Sequence, residues 1–232
     1  MTVIEQPVAP SRDAVRRFAK RALFLSLALI TLVTLYVHEA YLLRPTDPEW
    51  VHLRPFRWWL VPHVFGGAVA LLLGPLQFSS TLRRHYPAVH RWMGRVYVAA
   101  ALLGAGLSVY IVVVFEPPTD RWVMGVMGGL WFATTLFAWF AALNRKFDQH
   151  KLWMGRSYCF TLTFVATRFI PDIVLRGLDY FGTTALYWVI IVLCLIIPDL
   201  LLSGGAVSPW RPSRRTSTAP LSHRAADDAK LR

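Results

Sequence analysis

The sequence predicts an all-α, polytopic membrane protein. Six transmembrane helices are expected, four forming a core from a duplicated helical hairpin and two flanking it. Three observations lead there. The chain of 232 residues is 55% hydrophobic, with ten Trp and fourteen Phe, and carries six apolar runs of membrane-spanning length. Its Lys and Arg residues fall mostly in alternate loops. One short motif, HRWMGR at His90 and HKLWMGR at His150, occurs twice, each time shortly after a Gly-Gly helix.

The runs lie at roughly 22–43, 57–79, 93–115, 121–143, 153–175 and 182–203. Only helices are a plausible spanning element here, because backbone polar groups find no water in hydrocarbon. Residues 1–21 form a polar, basic segment expected to lie disordered or on the surface, and no small-x-small cleavage site follows the first run, so that run reads as a retained anchor. Residues 204–232 are rich in Ser, Pro, Arg and Ala and bury too little apolar area to fold alone. That tail is expected to be a disordered basic segment.

Nineteen of the 25 Lys and Arg fall on one side of the odd–even partition, which places both termini in the cytoplasm of a cell with the chain in its inner (plasma) membrane. The net charge of +12 is therefore a topology signal and not a nucleic-acid footprint. Cys159 and Cys194 both sit inside spans and read as small buried apolar residues. No CxxCH is present, which argues against covalently attached haem.

Spans two to five carry the repeat. Residues 63–98 and 125–159 align as two helix–loop–helix units opened by Gly66-Gly67 and Gly128-Gly129. Trp92 and Trp153 are 61 positions apart and His90 and His150 are 60 apart, so one residue has slipped between histidine and tryptophan. The copies share one orientation, which implies a pseudo-two-fold axis along the membrane normal. Small residues in these spans allow close helix approach.

His90 and His150 stand at matching depths in spans three and five, a natural placement for two axial ligands of haem b. Arg95 and Arg156, about a turn deeper, would meet haem propionates or another anion. The competing reading is an anchoring belt of interfacial His, Trp and Arg, and both stay open. Toward the outer side, His38 of span one, His63 of span two and Arg168 of span five fall at similar depth. An intramembrane Arg marks a candidate site, with Glu39 and Asp172 near enough to neutralise it, and a plain Arg168–Asp172 brace is the alternative. His63 completes the candidate metal ligands, beside His90 and His150. Gly125 occupies the place of His63 in the second copy, so the outer site is asymmetric.

HxxxGG in span two, ALLLGPLQF after it, HRWMGRVYV and the later WMGRSY…TR resemble a family of bacterial integral membrane proteins known only as a domain of unknown function. More distantly the architecture is similar to the six-helix b-type cytochromes of the ascorbate-reducible class. That second resemblance implies two haems in a four-helix core, with His90 and His150 as one ligand pair and His63 as a ligand of the other. The expected histidine of span four is missing, and His38 is its only substitute. The expected function is a membrane redox protein, a b-type haem carrier exchanging electrons with quinone. The alternative is a non-redox membrane protein, a small transporter or an accessory subunit beside another membrane protein, with a His/Arg polar site.

Overall fold

A computed structural model describes residues 12–44, 48, 53–115, 118–173 and 180–202. Residues 1–11 and the whole of the expected tail, 204–232, lie outside them. The described chain is all-helical: α1 (Arg12–Glu39), a 3-10 turn at Ala40–Leu43, α2 (Arg57–Gln77), a short α3 (Ser80–His85), α4 (Pro87–Phe115), α5 (Pro118–Leu143), α6 (Phe147–Ile173) and α7 (Tyr180–Leu202).

Local chemistry sets several boundaries. The Ser79 hydroxyl accepts from the Leu82 N–H at 3.2 Å and caps α3. Proline opens both α4 and α5, where its missing N–H leaves no bond unmade. The turn between α5 and α6 closes through Lys146 N–H to the Ala141 carbonyl at 2.9 Å and Arg145 N–H to the Ala142 carbonyl at 3.0 Å. This is a Schellman cap, with Arg145 at φ 56° in the left-handed position usually given to glycine.

Four helical segments are long and apolar enough to cross a membrane: Arg57–Gln77, Pro87–Phe115, Arg121–Leu143 and Thr184–Leu202. Large apolar side chains such as Phe65, Leu103, Phe140 and Leu201 cover their outer faces, as a lipid environment requires. The other two expected spans are helices too, with a different character. The first begins at Arg12 rather than near residue 22, so the basic leader is helical, and its apolar part is only Phe24–Glu39. The fifth, α6, carries Asp148, Lys151, Arg156, Arg168 and Asp172. Its position explains its polarity: it packs on α5 and α7 and also touches α2 and α1. Few of its positions need to face lipid.

The duplicated units form two hairpins, α2–α4 and α5–α6, but the second does not sit as the first does. α4 packs along both α2 and α5, whereas α6 packs along α5 and only lightly on α2. The glycines record the difference. A Cβ on Gly66 would meet the Ala100 carbonyl oxygen at 2.7 Å, and one on Gly128 would meet Ser108 Oγ at 2.6 Å, both on α4. In the 61-residue register of the tryptophans, Gly128 corresponds to Gly67. Gly67 has no neighbour within 4 Å of its Cβ position, because α6 stands away from it.

Candidate functional site

Where α6 stands away from α2, a cavity of about 300 Å³ opens inside the bundle. Its lining includes His63, Gly67 and Leu71 from α2, Met127, Gly128 and Trp131 from α5, and Thr161, Thr163, Thr167 and Arg168 from α6; Leu35, Ser108 and Tyr187 contribute from α1, α4 and α7, and Val64, Ala68, Val112, Met124, Phe160 and Phe164 add apolar surface. The seam is shut at the other end by Tyr158. Its ring lies flush on Gly74, its hydroxyl reaches the Leu71 carbonyl at 3.4 Å, and Phe78 packs against it at a tilt with centroids 5.8 Å apart.

Polar groups in the wall are mostly occupied. His63 donates from Nδ1 to the Gly104 carbonyl at 2.7 Å, which leaves Nε2 as the free ring nitrogen. The Thr161 hydroxyl donates to the Ser157 carbonyl at 2.9 Å, and Ser108 to the Ala105 carbonyl at 2.8 Å. Trp131 is the exception: its indole N–H is buried and has no acceptor among the described residues.

Arg168 sits at the edge of this cavity. Its guanidinium lies 3.2 Å from Glu39 Oε1 of α1 and 4.4 Å above the Phe164 ring. Glu39 is nearly enclosed, its side chain 6% exposed, against 39% for Arg168. The expected Arg168–Asp172 brace falls on the Asp172 side chain, which lies outside the described residues; the other acid named for Arg168, Glu39, is the partner present. His38 is half-buried in the last turn of α1 and does not line the cavity.

At the opposite end of the bundle, His90 and His150 lie within electrostatic reach of one another. His150 donates from Nδ1 to the Ala138 carbonyl at 2.9 Å, which again leaves Nε2 free, while His90 Nδ1 is buried without a partner among the described residues. Fixing one ring nitrogen on a backbone carbonyl is how metal-ligating histidines are commonly oriented. His63 belongs to the cavity end, and His63, His90 and His150 do not converge as one cluster. Arg156, expected to meet an anion, already has one. Its guanidinium bonds Asp199 Oδ2 of α7 at 2.7 Å and the Leu195 carbonyl at 3.3 Å, and it covers the Trp153 ring at 4.5 Å. Arg95 is exposed and has no such partner among the described residues.

Sequence reasoning passed over the tyrosines that end the two motifs, WMGRVY and WMGRSY. Tyr97 is fully buried, and its hydroxyl bonds Ser157 Oγ at 2.9 Å and Thr161 Oγ1 at 3.3 Å. Ser157 in turn bonds Thr135 Oγ1 at 2.7 Å, so one hydroxyl network ties α4, α5 and α6 and reaches the cavity at Thr161. The signal was available: Tyr97 and Tyr158 obey the same 61-residue register as the tryptophans. Cys159 and Cys194 are free thiols, half-buried and buried.

No curated protein and no solved structure matches this chain. Residues 60–203, from the first turn of α2 to just past the end of α7, match the family model described as "Predicted membrane protein (DUF2306)". That segment carries both histidine–arginine motifs, nearly all of the four apolar spans and every named cavity-lining residue except Leu35, and the chain belongs to this membrane protein family.

Proposed function

We propose that this protein holds a small ligand of the quinone class inside its helix bundle, an apolar ring bearing hydrogen-bond acceptors. In this reading all six long helices cross the membrane with both termini cytoplasmic, and the cavity opens toward the outer side of the inner membrane. The observation that carries it is the unpaired indole N–H of Trp131 in a wall residue of a 300 Å³ cavity. A buried donor without an acceptor costs about 1–3 kcal/mol, and a ligand carbonyl would relieve that cost. The volume is at the lower end of small-molecule sites, which pair a mostly apolar wall with a few polar groups. The Arg168 fork at the rim suits a planar acceptor.

Titration of the purified protein with a short-chain benzoquinone, read by melting temperature and tryptophan fluorescence, tests the proposal. Binding should weaken about fivefold in Trp131→Phe, one net hydrogen bond of about 1 kcal/mol, and vanish in Gly67→Leu, which fills the cavity. A quinone that leaves both signals unmoved sinks it.

A second reading, that the protein is also a haem b electron carrier, is favoured by the anchored Nδ1 of His150 and the unpaired Nδ1 of His90. Those two residues would hold the group. Arg95 is free for a propionate, and Arg156 is not. Haem b would supply one-electron chemistry; the chain would supply ligands and a slot of low dielectric. A reducible Soret band that weakens in His90→Ala and His150→Ala tests this reading, and its absence leaves the cavity proposal standing as a non-redox binding site.

A further inference from the structure

The two motif ends are unequal in charge, and the inequality has a chemical consequence. The second hairpin has two of its motif-end cations paired with acids of the chain. Arg156 pairs with Asp199, and Lys151 with Asp148 at 3.2 Å. The first hairpin carries no acid of its own, since no Asp or Glu occurs between Glu49 and Glu116, and among the described residues none from another helix pairs with its motif-end arginines. Its motif end nevertheless gathers Arg83 and Arg84 from the last turn of α3 and Arg91 and Arg95 from the first turns of α4. Arg83 and Arg91 both lie within electrostatic reach of His90. Arg91 and Arg95 are four residues apart on one helix, so they share a face. All four arginines are exposed, and His90 Nδ1 beside them is buried and unpaired.

The same end exposes aromatic rings. Trp92 is 66% exposed and Tyr86 61%, next to the apolar outer surface of α4. Arginine beside exposed Trp and Tyr at the end of an apolar span is the composition of a membrane–water boundary. An anion that satisfies this surface therefore carries both a phosphate for the fork of an arginine and hydrocarbon for the neighbouring span. We infer that the end of the first hairpin formed by Arg83, Arg91, Arg95 and His90 is a binding site for the headgroup phosphate of an anionic phospholipid. Arg95 takes from the lipid the counter-charge that Arg156 takes from Asp199. The site is specific to one copy of the repeat, because α7 supplies Asp199 only to the other. It does not depend on what fills the cavity, and it is exclusive of the haem b reading, which claims His90 and Arg95 for another ligand.

The test uses the full-length protein in nanodiscs of neutral phosphatidylcholine, with and without about one-third phosphatidylglycerol. Bound lipid is counted by native mass spectrometry and stability by melting temperature. Phosphatidylglycerol should be retained over phosphatidylcholine and should raise the melting temperature. The triple variant Arg83→Gln, Arg91→Gln, Arg95→Gln should retain it at least about tenfold less, since each basic residue near an anionic surface contributes severalfold. Arg156→Gln should retain it normally. Equal retention by the triple variant, an equal response to inorganic phosphate alone, or an equal loss in Arg156→Gln each overturns the proposal. Because the three substituted arginines are exposed, an unchanged melting temperature in phosphatidylcholine alone confirms that the triple variant is folded.

Discussion

The ring of Tyr158 on α6 lies flush against Gly74 on α2, and this contact fixes where the two helices meet and where they part. On one side of it the seam is packed; on the other it opens into the cavity lined by His63, Trp131 and Arg168. A Cβ at position 74 has no room beside the ring. Gly74→Ala is expected to cost about 1–3 kcal/mol of stability by overpacking, read as a lower melting temperature in detergent. Gly67→Ala, facing open space one helix stretch away, should leave the melting temperature unchanged.

Arg168 and Glu39 connect α6 to α1, which otherwise packs lightly. Glu39 is enclosed while Arg168 is more than one-third exposed, so the pair should behave between a buried and a surface ion pair. A double-mutant cycle of Glu39→Gln and Arg168→Gln is expected to give a coupling of about 1 kcal/mol. A coupling near zero would show that the contact does not hold α1 in place. Arg168→Lys keeps the charge and loses the fork, so it should weaken quinone binding nearly as much as Arg168→Gln.

The two motif tyrosines should differ. Tyr97→Phe removes a hydroxyl bonded to Ser157 and Thr161 in a fully buried network and is expected to cost about 1–2 kcal/mol. Tyr158→Phe removes only a 3.4 Å contact to the Leu71 carbonyl and should cost less than half as much. Equal melting temperatures for the two variants would contradict this ranking.

Arg145 holds the left-handed position of the Schellman cap between α5 and α6 with a side chain that glycine would not need. Arg145→Gly should therefore raise stability by about 1 kcal/mol, measurable as a higher melting temperature. A decrease would mean that the Arg145 side chain contributes more than the strain removes.

The proposed topology, with both termini cytoplasmic, rests on the charge asymmetry. Reporter fusions at residues 46, 118 and 180 should score as external and a fusion at 148 as internal. Reversal at two of the four points would invert the assignment of the cavity to the outer side.

Much of this architecture was legible in the chain. Apolar runs report helices, because burial in lipid or core depends on local composition, and the WMGR repeat reports two hairpins. Charge inside an apolar run reported a special position at Arg168 and two acids that could neutralise it, Glu39 and Asp172, without choosing between them. Glu39 lies more than a hundred positions earlier, and only the packing of α1 against α6 brings it to 3.2 Å from the guanidinium.

By itself, then, the sequence determined the helices, their pairing into hairpins and which residue types recur in each copy, since all of these depend on local periodicity and composition. Only the tertiary structure decided how identical motifs came to differ. Among the described residues Arg156 is neutralised and Arg95 is not because α7 covers one hairpin; Gly128 is packed because α4 lies against it, and Gly67 faces a cavity because α6 stands away from α2. Which faces of distant helices touch is set by the fit of side chains over the whole bundle, and no window along the chain contains that information.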